Sequence, residues 1–509
     1  MDAASNLPRP YIFGLPDELL LDVFEFLEVV DPISGDWINC NGAADIKNTR
    51  LVCRRFCEVS SQLLARIVCL QFNKASLARL DEISRHPTIA KGVRTIRVVL
   101  HFYNRSFVSL DRFGRYHARI LGRQIKRFIR DWERHEASRV PEKVATGLVA
   151  EGKAVVETLR QLVSFDNGVQ HWISDQDHRA RLHEIHREYV NRLEEQESLL
   201  ESGDFFRLVG AIIARMPAAR KLEFMDFAFK TIEKYILMVP GRDVWGAVQR
   251  LTLQPMNGHD AKRNFLELPN YQCVVRVIDA VRSAGASLNT IDIRLTNSGH
   301  PGSLAPAPDI RQSFSSGMQK LQEFYFLCGD GGFTERNVDH LEAFLSACLD
   351  TPSLQMLHLD LGWRKRDSET IDLGRVLGLS PRPNLTTFFT SRVGIHLPAL
   401  VLFLERLPES PGIIYFQTST HLLSGTWKEA LDLFRRKTAY VSYLGGTFRG
   451  AECDAMPLED MRRIFSHNKS HRYRSLATLY ISNEFPRMLN PFQAYEDGID
   501  LAELLDNAQ

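Results

Sequence analysis

Apolar and polar positions alternate in short segments along the second half of the chain. Each segment approaches the form Leu-x-x-Leu-x-Leu, whose last two apolar positions lie two residues apart, the spacing of a strand with one buried face. The second apolar positions are Leu222, Leu251, Ile291, Phe324, Leu357 and Phe388, at intervals of 29, 40, 33, 33 and 31 residues. The pattern predicts a strand at each, including one formed by Val248, Leu251 and Leu253.

Apolar residues at helical spacing lie between the predicted strands. One segment covers residues 274–281 and stops at Gly285, a second covers 338–349, and a third begins at Pro398 and stops at Pro408. A strand followed by a helix at this period cannot bury its own apolar face. We therefore expect the units to stack into one curved parallel sheet with the helices outside. A further unit is predicted at Ile413 and Phe416.

The first seventy residues carry a different pattern, that of two amphipathic helices. Pro16, Asp17 and Glu18 are typical of a helix start, because proline suits the first turn and carboxylates favour the positive end of the helix dipole. Polar residues between 29 and 48 predict a long loop, after which helical spacing resumes. The apolar residues are Leu19, Leu20, Val23, Phe24 and Leu27 in the first helix, and Leu51, Val52, Phe56, Val59 and Leu63 in the second.

Residues 71–205 are predicted to form a charged helical spacer. Residues 105–139 contain ten Lys or Arg and four Asp or Glu, whereas residues 184–204 contain seven acidic residues against Arg187 and Arg192. Because helices of opposite sign attract, we expect these two to lie against one another. Alternatively, the basic helix binds nucleic acid or an acidic partner through Arg119, Arg123, Lys126, Arg127, Arg130 and Arg134.

Composition narrows the class of protein. The chain has 509 residues, too many for one compact domain, of which 44% are hydrophobic and 25% charged. Its net charge of +1 argues against binding polyanions with the whole surface. No uncharged apolar run is long enough for a membrane helix, and eight cysteines are too few for a disulfide scaffold. We expect a soluble, intracellular, α+β multi-domain protein with boundaries at 1–70, 71–205, 206–450 and 451–509, the last being a carboxy-terminal cap.

The first of these domains resembles the F-box motif. The resemblance rests on LPDELLLDVFEFLE, which begins at Leu15, and on NTRLVCRRF, which ends at Phe56. F-box proteins join such a helical box to a recognition domain that is often built of leucine-rich repeats, and the repeats here are similar to those of fungal F-box proteins. The resemblance implies a small helical F-box, a charged helical spacer and an α/β leucine-rich-repeat-like solenoid with a curved parallel sheet.

The same resemblance implies a function. It points to the substrate-recognition subunit of an SCF-type cullin-RING ubiquitin ligase, which is not itself an enzyme, has no cofactor and works in the cytoplasm or nucleus. The implied partners are a Skp-family adaptor, a cullin bound through it, and an unknown protein substrate; neither a membrane nor nucleic acid is expected. An alternative is a non-ligase scaffold in which box and repeats serve another assembly. The implied adaptor-binding residues are Leu15, Pro16, Leu19, Leu20, Val23, Phe24, Leu27, Leu51, Val52, Cys53 and Phe56.

Three other motifs fall short of a chemical site. Residues 183–186, His-Glu-Ile-His, place the histidines three apart, whereas the metalloprotease helix needs four. The glycine-rich turn at 329–332 follows a strand, as a phosphate-binding loop does, but lacks the full glycine spacing and a Walker lysine, which leaves an enzyme as the weakest hypothesis. No zinc knuckle spacing occurs among Cys40, Cys53, Cys57 and Cys69, so we expect no metal site and interpret these as buried free thiols.

The substrate is expected on the sheet face opposite the apolar markers, because alternate residues of a strand point to opposite faces. That face carries two aromatic residues, a histidine and charges of both signs, which suits a protein or peptide. The alternative is that Tyr325 and Phe389 only pack beneath a neighbouring loop. The residues expected on this face are Arg250, Thr252 and Gln254; Thr290, Asp292 and Arg294; Glu323, Tyr325 and Leu327; Met356, His358 and Asp360; and Thr387, Phe389 and Ser391, of which Arg294, Tyr325, His358, Asp360 and Phe389 are the main candidates.

Overall fold

The chain is an α+β protein built around a parallel sheet. We describe it from a computed structural model. The described residues are 11–27, 41–133, 142–161, 176–226, 244–269, 271–296, 304, 318–329, 335–361, 371–377, 382–408, 412–417, 420–437, 441–446, 448–466, 475–501 and 504.

Among the described residues, nine strands form the main sheet, and every neighbouring pair is parallel. Their order in the sheet follows their order in the chain, β1-β2-β3-β4-β5-β6-β7-β9-β11. A second sheet, counted over the same ranges, has three strands in the order β12-β10-β8. The strands are β1 Ile67–Leu70, β2 Thr95–Val99, β3 Lys221–Met225, β4 Thr290–Leu295, β5 Glu323–Cys328, β6 Met356–Asp360, β7 Thr387–Ser391, β8 Gly394–His396, β9 Ile413–Gln417, β10 Thr420–Ser424, β11 Val441–Gly445 and β12 Phe448–Arg449.

The helices are numbered in chain order, first those that precede residue 270 and then those that alternate with the later strands. The helices before residue 270 are α1 Asp17–Glu25, α2 Asn41–Arg50, α3 Arg54–Ser60, α4 Lys74–Arg85, α5 Ile89–Gly92, α6 Leu110–Glu133, α7 Glu142–Gln161, α8 Gln176–Glu201, α9 Gly203–Ala214, α10 Val244–Thr252 and α11 Gly258–Arg263. The later helices are α12 Gln272–Ser283, α13 Glu335–Leu349, α14 Leu373–Leu377, α15 Leu397–Glu405, α16 Trp427–Arg436, α17 Glu452–Ala455, α18 Leu458–Phe465, α19 Leu476–Ile481 and α20 Pro491–Glu496.

The apolar face of the main sheet is the centre of the largest core. In β5 the buried residues are Phe324, Phe326 and Cys328, which alternate with half-buried ones, and β6 repeats this alternation. Helices α12, α13 and α15 contribute buried residues to the same cluster. Two predicted helix boundaries are confirmed: α12 ends just before Gly285, which has a φ of 79°, and α15 has Pro398 in its first turn. The strands predicted at 222, 291, 324, 357, 388 and 413 are confirmed.

The last three units each carry a second short strand. Strands β7, β9 and β11 are each followed within three residues by a strand of the small sheet. Arg392, between β7 and β8, has a φ of 63°, and Gly425 and Gly450, which follow β10 and β12, have φ of 89° and 83°. At Gly450 a Cβ would approach the carbonyl oxygen of Leu422 to 2.0 Å, so glycine is required there.

Four predictions about elements are wrong. Val248, Leu251 and Leu253 do not form a strand, because α10 covers most of this segment and its apolar residues pack against α6, α7 and α8. Arg250, Thr252 and Gln254 therefore do not belong to the sheet face. Residues 71–205 are not wholly helical, since β2 lies among them and pairs with β3. The predicted loop at 29–48 is wrong from residue 41 onward, because α2 begins at Asn41, and residues 29–40 lie outside the described residues. The predicted second helix is wrong at its start, because Leu51 and Val52 form a turn between α2 and α3.

The oppositely charged helices do not pair as predicted. Helix α6 packs mainly along α7, and its buried side includes Leu121 and Ile125. Within the described residues, the ion pair between the two charged segments joins Arg105, which precedes α6, to Glu197 at 3.9 Å. His117 lies in this core among aromatic rings, and burial lowers its pKa to about 3, so the ring is neutral.

The packing of α9 on α12 generates the first prediction. Gly210 lies where these helices are closest, and a Cβ there would meet the carbonyl oxygen of Ala280 at 2.3 Å. Gly210→Ala should therefore lower the free energy of unfolding by about 1–3 kcal/mol, as overpacking does. The control is Gly147→Ala in α7, where a Cβ would meet nothing within 4 Å and helix propensity should raise stability by up to about 1 kcal/mol. Urea unfolding of both variants measures the difference; equal effects would contradict the close packing.

Candidate functional site

The amino-terminal helices form a small core of their own. The buried residues Leu20 and Phe24 of α1, Ile46 of α2, and Phe56 and Val59 of α3 form this cluster with Leu63. The rings of Phe24 and Phe56 meet edge to face with centroids 5.0 Å apart. This core lies apart from the apolar cluster of the main sheet.

Arg55 holds the chain where it enters α1. Its guanidinium donates to Asp17 Oδ1 at 2.8 Å and to the carbonyl oxygens of Phe13 at 2.8 Å and Leu15 at 2.5 Å. These bonds fix the Leu15-Pro16 corner against α3. Sequence reasoning missed Arg55, because three acceptors satisfied by one planar fork are visible only in the structure.

Apolar side chains that face water are concentrated in this part of the chain. Among the described residues, seven of the fifteen exposed large hydrophobic residues lie between residues 11 and 52. Helix α1 presents Leu19 and Val23 at helical spacing, and Phe26, which caps its carboxy-terminal end, is 83% exposed. The turn after α2 presents Leu51, 85% exposed, and Val52, 60% exposed. Such a concentration of exposed apolar surface is typical of a protein-binding site.

The predicted adaptor-binding residues divide into an inward and an outward set. Leu20, Phe24 and Phe56 are buried in the separate core of the amino-terminal helices. Leu15, Leu27 and Cys53 are half-buried beside it, and the Cys53 thiol caps α3 by accepting from the Phe56 amide at 3.4 Å. The outward set is Pro16, Leu19, Val23, Leu51 and Val52. To it the structure adds Tyr11, Phe13 and Phe26, and we call these eight residues the apolar patch.

A second candidate surface is the polar face of the main sheet. Parallel pairing in register places one residue from each of seven strands in a single row. The row runs from charged residues at one end to aromatic residues at the other. Its members are Arg97, Glu223, Asp292, Tyr325, His358, Phe389 and Tyr415, which we call the central row.

The charged end of the central row is a buried ion-pair network. Arg97 Nε lies 2.8 Å from Glu223 Oε2, and their side chains are only 4% and 8% exposed. Lys221 Nζ bridges Glu223 Oε1 at 2.8 Å and Asp292 Oδ2 at 3.2 Å. Arg294 then holds both oxygens of Asp292 at 2.9 Å, and this hydrogen bonding raises the pKa of Arg294. Each carboxylate thus faces two cations.

The aromatic end of the row is half-buried. The ring of His358 lies 4.1 Å from that of Phe389 and 6.2 Å from that of Tyr325, measured between centroids. Burial lowers the pKa of His358, so its imidazole is neutral at pH 7. Burial and the charge of Glu323 raise the pKa of Tyr325 to about 12. This end therefore offers uncharged rings with polar edges, a surface suited to contacts with apolar and aromatic side chains.

The structure brings the predicted substrate residues onto one face of the sheet, but some of their side chains are already engaged by other residues of the chain. Tyr325, His358 and Phe389 are consecutive in the central row. Arg294 and Asp360 belong to the neighbouring row and are already engaged, Arg294 by Asp292 and Asp360 by Arg392, whose Nε lies 3.0 Å away. Sequence reasoning missed Tyr415, whose ring lies 5.9 Å from Phe389, although the predicted strand at Ile413 contained the signal.

The other motifs do not gain a site. His186 of the His-Glu-Ile-His segment contacts the carbonyl oxygen of Phe107 at 2.9 Å, so it serves the helical core. Of the glycine-rich turn only Gly329 is described, and of the four cysteines Cys40 lies outside the described residues. Cys53, Cys57 and Cys69 are free thiols, but they are half-buried and not fully buried as predicted. Across the described ranges, no group of three or more His, Cys, Asp or Glu is placed to hold a metal ion. Likewise, no described helix combines the length and the hydrophobicity that crossing a membrane requires.

Comparisons of the chain with protein-family models, with curated proteins and with solved structures find no match.

The buried network generates the second prediction. Glu223→Leu leaves Arg97 buried without a carboxylate, so it should cost about 3–5 kcal/mol of stability. Arg97→Met should cost less, because Glu223 keeps Lys221. Joint replacement should cost less than the sum of the two. As a control, Arg54→Met breaks an ion pair whose side chains are 93% and 64% exposed and should change stability by about 1 kcal/mol or less. Chemical denaturation measures all four, and additive losses would contradict the coupling.

Proposed function

We propose that this protein is the substrate-recognition subunit of an SCF-type ubiquitin ligase. The observation that carries the proposal is the apolar patch, which the box displays outside a core that is already complete. A Skp-family adaptor is the proposed partner of the patch, and a cullin joins through that adaptor. Catalysis then belongs to other subunits, and this chain raises the effective concentration of its target near them.

In the proposed architecture the chain has three separate domains. The box is one domain, the α6–α8 helices form the spacer, and the strand-helix units form a leucine-rich-repeat-like solenoid. Strand order that follows chain order, with parallel neighbours throughout, supports this arrangement. The cores of the box, the helical spacer and the sheet are distinct clusters, which supports the multi-domain organisation.

The proposed substrate site is the aromatic end of the central row. Tyr325, His358 and Phe389 are half-buried and contact one another, so a bound peptide would complete the burial of rigid rings at small entropic cost. The flanking charges of Arg294 and Asp360 are held by their own partners, which favours a role in orientation over a role as free anchors. The substrate is proposed to be a protein segment with apolar or aromatic side chains.

A second candidate function is a scaffold outside the ubiquitin system. The same patch would then bind a helical partner that does not recruit a cullin. Copurification distinguishes the two, because only the ligase subunit brings down adaptor and cullin together.

The third prediction tests the patch. Leu19→Lys with Val23→Lys should weaken adaptor binding at least about tenfold, since two apolar contacts become charges that must be desolvated. The side chains are 49% and 40% exposed, so the melting temperature should stay near that of the unaltered protein. The matched control is Leu208→Lys with Leu402→Lys, helical residues that are 50% and 41% exposed elsewhere.

Titration of each full-length variant with purified adaptor, by calorimetry, measures the affinity. Equal affinity for the test and control variants would sink the proposed docking site. If the unaltered chain binds no adaptor, the ligase function itself fails.

The fourth prediction tests the substrate site. Tyr325→Ala with Phe389→Ala should remove copurifying target proteins while adaptor binding is unchanged, because the rings lie in a different part of the fold from the patch. The control is Phe326→Ala, which removes a fully buried ring from the opposite, apolar face of the sheet and should lower stability by about 3–5 kcal/mol. If the double variant loses as much stability as this control, the rings are core residues and the assignment is wrong.

A further inference from the structure

A groove runs beside helix α6 in the spacer, far along the chain from the box and from the aromatic end of the central row. It encloses about 630 Å³. One wall is α6, and the other includes α7 and the segment after α11. No acidic residue lines it within the described part of the chain. Its charged lining residues are Arg112, Arg115, Arg119, Arg123 and Lys126 of α6 and Arg160 of α7.

The cations of α6 form a stripe, which we call the cationic stripe. Arg112, Arg115, Arg119, Arg123 and Lys126 are spaced by three or four residues, so they lie along one face of the helix. At about 1.5 Å per residue the stripe is roughly 21 Å long. All five are exposed, and the opposite side of α6 is buried against α7.

Little inside the protein neutralises the stripe. Arg115 is paired with Asp111, one turn away, and Arg160 lies 3.5 Å from Glu157. Arg119 donates to the Asn264 side chain and lies 5.9 Å from the Tyr116 ring, neither of which carries a charge. For Arg112, Arg123 and Lys126 the described residues supply no ion pair. Because like charges so close together repel, the uncompensated stripe favours an anionic partner.

The remaining groove surface is mostly apolar. Phe107, Ala118 and Leu266 line it beside the cations, together with the polar Asn264. Phe265 stands in the chain between the lining residues Asn264 and Leu266, and its side chain is 98% exposed with a φ of 54°. A bulky residue is uncommon in the left-handed region, and an aromatic ring in water gains nothing from exposure. This ring is therefore available to an apolar group of a ligand in the groove.

We propose that the groove binds an acidic peptide segment of a partner protein, with carboxylates on the cationic stripe and an apolar or aromatic side chain against Phe265 and the groove floor. The proposal is independent of the ligase function. Arginine predominates in the stripe, and its planar fork suits carboxylates. A bare polyanion would leave the apolar floor unused, and the net charge of +1 gives the chain no long-range attraction for nucleic acid.

Fluorescence anisotropy with the full chain tests the proposal. The probe is a short fluorescein-labelled peptide in which glutamate pairs alternate with phenylalanine; its glutamine counterpart and a labelled oligouridylate of equal length are the comparison ligands. We expect the acidic peptide to bind tighter than both, with an affinity that falls as salt rises. Arg123→Glu with Lys126→Glu should weaken it at least about tenfold.

The matched control is Lys91→Glu with Lys320→Glu, the same charge change at exposed lysines outside the groove. It should bind within about twofold of the unaltered protein, since charges beyond a Debye length are screened. Phe265→Ser should also weaken the acidic peptide without lowering the melting temperature. Tighter binding of oligouridylate would overturn the peptide assignment in favour of nucleic acid. Equal binding by the test and control variants, or no binding of the acidic peptide, would overturn the site.

Discussion

In-register parallel pairing is the constraint on which the rest of the molecule depends. Leu222, Ile291, Phe324, Leu357 and Phe388 are paired in succession across five strands, so their side chains share one face. A slip of one residue in any strand would move apolar side chains to the polar face and charges into the core. Helices α12, α13 and α15 pack on the apolar face, and the opposite face carries the central row.

The central row shows how far one face can change character along a sheet. At one end Asp292 is 1% exposed and lies between two cations, an arrangement that offsets the cost of burying its charge. At the other end the rings of His358 and Phe389 are in contact and remain half-buried. A charge that is fully paired gives little to a ligand, whereas a partly covered ring still has apolar area to bury. The apolar area of the central row that is still open to burial therefore lies with the rings.

Sequence patterns predicted the repeated strands well because alternation over several residues fits only a half-buried strand. They failed where burial is uniform or the segment is short. Every residue of β2 is buried, so it shows no alternation, and β1 has only four residues. Val248, Leu251 and Leu253 fit a helix as well as a strand, and their contacts with α6–α8, which no local pattern reports, decide for the helix. The engagement of Asp360 by Arg392 was equally hidden, because it depends on a left-handed residue between two strands.

The predicted pairing of the oppositely charged helices is wrong for an energetic reason. The same reason explains why the cationic stripe and the apolar patch are exposed. Exposed ion pairs are worth about 0.2–1 kcal/mol, whereas burying one large apolar side chain is worth about 1.5–3 kcal/mol. Helix α6 therefore orients by Leu121 and Ile125 and leaves its cations outward. The amino-terminal helices follow the same order: Leu20, Phe24 and Phe56 are buried in their core. Leu19 and Val23 stay exposed, because nothing in the described part of the chain covers them fully. In both places the burial of large apolar side chains decides how the helix is oriented, and the weaker interactions are left at the surface.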